Sequence, residues 1–540
     1  MISARWKLAI VIGCFAVASL PGTPGLAGAK PTSAAAVAPL AARIDEHLAR
    51  AAERAHGAPA PQADDAEFLR RLCLDLGGRI PAVSEVREFL GDPSADKRSR
   101  KVDQLLDEPR YVSHFAQVWR RVLVPEKPSD DFGGFYFKGF DAWLEQRLRD
   151  DTPYDVMVWQ LLTVPLEQGE KRLGVFERFS EPTPLAFYQV KQAAPENLAA
   201  ATARVFLGVR IECAQCHNHP FDSWKQEQFW SFAAFFAGIE RRQPERGLLG
   251  QVNELFDRRE IGIPGTAQVV QAAYLDGAAP RWKFRVGSRQ ALADWVTSRD
   301  NPWFSRMAVN RLWAHFFGRG LVEPVDDFAA SNPASHPELL DELGRALAEQ
   351  GFDLKFLIRA VVSSQAYQRT SRRSEVGRED PALFARMALK ALSAEQVLAS
   401  LHQATGLPQP AELEVRANID PSEVARGDLL DAFGDDTQPV TQRQSTILQA
   451  LAMMNGIFIS RGVDLERRRM LSAVLDDPSA TNTDRLDTLY LATLSRFPSQ
   501  AERQRMLAYV DQGGPRHDSR HALADVFWAL LNSTEFVTNH

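Results

Sequence analysis

The stretch Ile211-Glu212-Cys213-Ala214-Gln215-Cys216-His217-Asn218-His219-Pro220-Phe221-Asp222 decides how this chain is read. It follows closely on a helix expected from Pro195-Glu196-Asn197 to about Gly208. It leads into an aromatic segment over 221–236, where Phe229, Phe232, Phe235 and Phe236 recur at helical spacing. Such a stripe is ordinarily core, and it could also wall a macrocycle.

The turn between the two segments carries C-x-x-C-H, the spacing of a c-type haem attachment. On a helical turn residues i and i+3 share a face, so Cys213 and Cys216 can present both thiols to one porphyrin edge. His217 can then place a ring nitrogen under the iron as proximal ligand. The same residues admit other uses. The cysteines could form a disulfide or redox pair. Cys213, Cys216, His217 and His219 could hold a tetrahedral zinc. The cysteines could also be small buried apolar residues. Haem c is therefore the expected cofactor, with zinc as the alternative.

Compartment bears on that choice. Arg5 and Lys7 precede an apolar run from Leu8 to Leu20, and Ala27-Gly28-Ala29 follows as a small-residue cleavage site. Residues 1–29 read as a secretory signal peptide too short to span a bilayer. Val11-Ile12-Gly13-Cys14 resembles a lipoprotein cleavage box, which leaves room for a lipid anchor or peripheral membrane association. No later segment is long and apolar enough to cross a membrane. The expected location is the periplasm or cell envelope. Of four cysteines, Cys14 leaves with the signal peptide and Cys73 stands alone in an apolar helical stretch, as expected of core. A disulfide-stapled fold is excluded by number.

The composition, 45% apolar and 24% charged over 540 residues, suits a globular protein of several domains. A net charge of −6 offers no basic field for a phosphate backbone, so nucleic acid is not expected as a partner. Helical periodicity dominates, and the expected fold class is all-α: two mainly helical domains joined by an irregular segment with short strands near Ala267 to Tyr274. The expected divisions are a linker and N-terminal helix (30–60), a first helical domain with the motif (61–239), a connecting segment (240–286) and a C-terminal helical domain (287–540). Within these, Asp64-Asp65 caps a helix ended by Gly77-Gly78, Pro381 to Ala391 reads as a helix, and 406–438 as a polar surface loop. A weak echo links Leu72-x-Leu74, Arg79-x-Pro81 and Glu85 to Leu489-x-Leu491, Arg496-x-Pro498 and Glu502; common helix–turn–helix grammar accounts for it.

Several blocks carry a family resemblance: FLRRLCLDLGGRIPAVSEVREFL (68–90), ENLAAATARVFLGVRIECAQCHNHPFDSWKQEQFW (196–230), MAVNRLWAHFFGRGLVEPVDDF (307–328), SHPELLDELGRALAEQGFDLKFLIRAVVSSQAYQ (335–368) and ILQALAMMNG (447–456). Together they resemble the planctomycete-specific cytochrome-like domain fused to the planctomycete-specific domain that follows it, both of unknown function. The resemblance implies an exported protein with a cytochrome-like C-x-x-C-H at Cys213, Cys216 and His217. It brings no catalytic activity, and no catalytic residue is assigned.

For the sixth iron position the candidates are His315 and His336, which lie in these blocks, with Met307, Met453 and Met454 behind them. Each also has an ordinary structural role open to it, such as helix capping for His336. Asp326-Asp327 could serve acid–base or metal chemistry, but an ion pair with Arg311 or Arg319 is the simpler expectation. There is no G-x-S-x-G, Walker loop, G-x-G-x-x-G or H-E-x-x-H. The expected function is an exported c-type haem protein with an electron-transfer or redox role and a redox partner protein. The alternative is a non-redox extracytoplasmic module, a scaffold or carbohydrate-processing protein, with the motif as a zinc or disulfide staple.

Overall fold

The computed structural model describes residues 34–55, 58–125, 133–166, 181–220, 222–241, 252–372, 380–407, 429, 432–433, 446–466 and 469–540. Residues 1–33, which hold the expected signal peptide and Cys14, together with Phe221 and most of 406–438, lie outside the described residues. The rest is mainly helical, with three two-stranded antiparallel sheets. Ile239–Arg241 pairs with Val252–Glu254, Glu260–Gly262 with Val269–Gln271, and Lys390–Ala391 with Thr538–Asn539. The first two ladders fall in the connecting segment. No helix among the described residues is long and apolar enough to cross a membrane.

Local chemistry explains many helix ends. The Asp64 side chain accepts the Glu67 amide at 2.9 Å and opens the Asp65–Gly77 helix; Gly78, at φ +70°, closes it. A Cβ on Gly78 would meet the His114 ring at 2.5 Å, so this end requires glycine. The two copies of the sequence echo share this grammar. Helices Asp65–Gly77 and Asn482–Leu494 end on left-handed Gly78 and Ser495, and the next helices are opened by Glu85 and Glu502, each accepting a backbone N–H three residues back.

The segment Pro381 to Ala391 is not one helix. It makes a single turn, Pro381–Leu383, and Phe384 then takes φ +50°. The chain runs out into the Lys390–Ala391 strand. Pairing with Thr538–Asn539 and the burial of the Lys390 ammonium decide this conformation, and neither is visible in local periodicity.

Hydrophobic packing forms two clusters. One runs from Leu40 to Met387 and takes in Leu491; it crosses the connecting segment without a break through Ile239, Ile263 and Val270. The other joins Leu74 and Ile80 to residues between Leu392 and Phe536. The Asp65–Gly77 helix therefore serves both, and every residue from Glu67 to Gly77 is buried. A helix buried all round must satisfy its own polar groups. Arg70 donates to the carbonyls of Thr493 at 2.9 Å and of Glu535 and Phe536 at 3.0 Å. Arg71 donates to Glu67 at 2.7 Å and to the Tyr367 carbonyl at 2.6 Å. Asp75 accepts from Lys390 Nζ at 2.6 Å, Asn539 at 2.7 Å and Tyr367 Oη at 2.9 Å. One helix thus stitches the two clusters together with charge.

Candidate functional site

The motif is held by three neighbouring elements. The helix that leads to it, Pro195–Thr202, does not run on in α form to Gly208. Residues Ala203–Leu207 form a π turn, and Gly208 ends it at φ +69°. Such a bulge leaves carbonyls without their usual partners and is frequent at functional sites. Arg311, half-buried on the Pro302–Phe317 helix, donates to the Val205 carbonyl at 3.3 Å. Gly208 packs where a Cβ would lie 2.2 Å from the Phe328 ring and 3.0 Å from Met307 Sδ, and its carbonyl accepts the Phe328 amide at 2.8 Å.

From there the chain enters a 3-10 turn, Glu212–Gln215, rather than an α-helical one. In a 3-10 turn residues i and i+3 eclipse. This places Cys213 and Cys216 on one side; both are exposed and free, while Ala214 between them is buried. The carbonyls after the turn are claimed by the Gln226–Ala233 helix: Trp230 Nε1 donates to Gln215 at 3.0 Å, and Gln226 Nε2 to Cys216 at 2.9 Å. Gln226 and Trp230 position the motif, and nothing in their spacing announced it. The exposed His217 ring donates from Nδ1 to the Asn218 carbonyl at 2.7 Å.

Beside the turn, Arg204 donates to Asp326 at 2.6 Å and Arg210 Nε donates to it at 3.1 Å. Burial pushes the Asp326 carboxyl upward, but the two guanidinium groups more than offset this and hold it below the usual range. The expected partners Arg311 and Arg319 are not the ones used. Glu212 moves the other way, raised chiefly by burial.

The remaining expectations resolve differently. Phe229, Phe232, Phe235 and Phe236 are at most 1% exposed and pack in the large core, so the stripe is not an open wall. His315 donates from Nε2 to the Asp75 carbonyl at 2.9 Å and packs against His114, Phe115 and Phe316; burial lowers its pKa. His336 begins the Pro337–Glu349 helix without a side-chain cap. Its Nδ1 pairs with Ser335 Oγ at 3.1 Å, and burial, helped by His47, pulls its pKa to about 4. Met307 is buried behind Gly208; Met453 is buried and Met454 half exposed. Among the described residues no three His, Cys, Asp or Glu side chains converge as a metal site would require, so Cys213, Cys216, His217 and His219 are not gathered into a tetrahedral set. A c-type haem asks less of the chain: two free thiols one turn apart and one imidazole. The residues fit that demand.

Residues 43–241 match the family model described as PSCyt2, a protein of unknown function (DUF1549). Residues 288–510 match PSD1, a protein of unknown function (DUF1553). The chain carries both domains, in that order. No curated protein matches the chain. No solved structure matches it. The motif lies in the PSCyt2 match and Asp326 in the PSD1 match, so the pairs from Arg204 and Arg210 bridge the two domains at the motif. The stitching through Asp75 also reaches past the PSD1 match, to Asn539.

Proposed function

We propose that this chain is an exported c-type haem protein with an electron-transfer or redox role. Cys213 and Cys216 would hold the porphyrin through thioethers, and His217 would be the proximal ligand. The observation that carries this is the pairing of two free, exposed thiols, Cys213 on the 3-10 turn and Cys216 closing it, with a histidine that donates from Nδ1 to a carbonyl. That bond fixes the tautomer and directs the other ring nitrogen outward as a ligand. When bound, the haem would supply one-electron chemistry. The chain's own part is to hold the turn: Gln226 and Trp230 fix its carbonyls, and the Arg204–Asp326–Arg210 set anchors its entry to the second domain. The domain name PSCyt2 supports the same reading.

The test is expression with haem-maturation machinery. The purified protein should show a Soret band and keep its pigment in a denaturing gel. Cys213→Ser with Cys216→Ser should be colourless and folded. A colourless wild type under these conditions would refute the proposal, and one zinc per chain in that material would support the staple reading instead.

A further inference from the structure

A basic and aromatic turn projects from the connecting segment. Residues 281–285 read Arg281-Trp282-Lys283-Phe284-Arg285, cations alternating with aromatic rings, and no acid occurs between Asp276 and Asp294. The fold holds this stretch in place. Trp282 fastens its base: the Arg259 guanidinium lies 4.1 Å from the indole centroid, and the buried Phe235 ring packs against it at 6.3 Å. The chain then reverses, with the Val286 amide donating to the Lys283 carbonyl at 3.2 Å. Phe284 and Arg285 form the tip. Arg285 takes φ +62°, a left-handed backbone that a residue with a Cβ adopts only at a cost.

The tip presents apolar surface and charge together. Phe284 is 88% exposed. Phe256, 62% exposed, stands beside the end of the turn, where its ring lies 3.0 Å from the position of a Cβ on Gly287. Rings of this size left open to water mark a surface that meets something else. The Arg285 guanidinium sits over the Phe284 ring at 5.2 Å, and Arg281, Lys283 and Arg285 make no ion pair among the described residues. Nearby acids are engaged elsewhere. Glu240 pairs with Arg258 at 3.2 Å, and Glu254 accepts from Arg289 Nε at 2.7 Å. Asp257 and Glu260 bracket Arg258 and Arg259, so that stretch is balanced within itself and the turn carries the excess of one sign.

We propose that this turn docks the protein on an anionic lipid surface. Phe284 and Phe256 enter the interfacial layer, and Arg281, Lys283 and Arg285 meet the headgroups. The combination selects this partner. Cations alone would suit any polyanion, whereas exposed rings gain only where an apolar phase is there to enter. The base of the turn is already fixed by Trp282, so little conformational freedom is lost on docking. The surface lies outside the C-x-x-C-H segment and does not depend on haem.

The test is sedimentation of the full chain, as recovered after export, with vesicles of phosphatidylcholine alone and of an equal mixture with phosphatidylglycerol. Binding is expected on the anionic vesicles and should fall as salt is added. Phe284→Ser should weaken it about tenfold, as expected when one aromatic side chain no longer leaves water. Arg281→Ser, Lys283→Ser and Arg285→Ser together should weaken it about a hundredfold, at about fivefold per cation, and remove the preference for the anionic vesicles. Leu448→Ser, on an exposed apolar helix outside the connecting segment, should leave binding unchanged. Whatever the N-terminus contributes is common to all the variants, so the differences among them read the turn. Circular dichroism establishes that each variant is folded. Heparin, a polyanion with no apolar phase, provides the contrast: heparin binding combined with vesicle binding indifferent to Phe284→Ser would make the turn a polyanion site and overturn the proposal. It is equally overturned if the wild type does not prefer the anionic vesicles, or if the triple variant binds them as the wild type does.

Discussion

Asp75 and Lys390 form the ion pair on which the stitching of the two clusters depends, and their removal should be strongly coupled. Both side chains are nearly inaccessible, at 3% and 6% exposure, with 2.6 Å between Oδ1 and Nζ. Removing one partner of a buried pair leaves an uncompensated charge and costs about 3–5 kcal/mol. Asp75→Asn should fall at the upper end of that range, because Asp75 also accepts from Tyr367 and Asn539. Lys390→Met should fall at the lower end, since those two donors still serve the carboxylate. The double variant buries no net charge, so it should be less destabilised than the sum of the singles by about 2 kcal/mol or more. The pH dependence has a definite sign. Burial holds the Lys390 ammonium below its usual 10.5, with Asp75 partly restoring it. The unfolded chain then binds the extra proton between the folded pKa and 10.5, and stability rises with pH across that window. Without Asp75 the window opens at lower pH, so Asp75→Asn should recover stability on alkalinisation sooner than the wild type. Urea unfolding followed by circular dichroism and tryptophan fluorescence measures both effects. A coupling under about 0.5 kcal/mol, within ordinary additivity, would refute the reasoning.

Glu85 gives an acid-side counterpart. Burial raises its carboxyl, but Arg110, the Ala82 amide and Lys101 outweigh this and bring it to about 2 from 4.5. Its stabilisation is full above 4.5 and is lost as pH falls toward 2, so Glu85→Gln should flatten acid unfolding in that range, by up to about 3 kcal/mol before discounting for its partial exposure. Gly208→Ala should destabilise by more than about 1 kcal/mol, because the left-handed backbone and the Phe328 ring both oppose a Cβ; a lowered melting temperature checks this. In unloaded protein a thiol reagent should label Cys213 and Cys216 rapidly, whereas Cys73, fully buried with its thiol pushed up to about 12, should react only on unfolding, as a thiol count over time will show.

Local chemistry was legible in the residues themselves. Asp64 opens its helix with a side-chain acceptor and Gly78 closes it with a left-handed backbone that a Cβ would oppose, and both were legible in residue type alone. Helical periodicity likewise indicated the all-α class, since it reports a 3.6-residue repeat that needs no partner to be seen. What the tertiary structure decided concerns charge and long-range pairing. Arg70, Arg71 and Asp75 look like a solvated helix face in sequence, and they are buried only because partners some 290 to 470 positions away close over them. The same holds at the motif, where Asp326 pairs with Arg204 and Arg210 rather than with its neighbours along the chain. A hydrogen-bonded turn is set by adjacent residues, whereas an ion pair forms between whichever charges the packing of distant helices brings within reach.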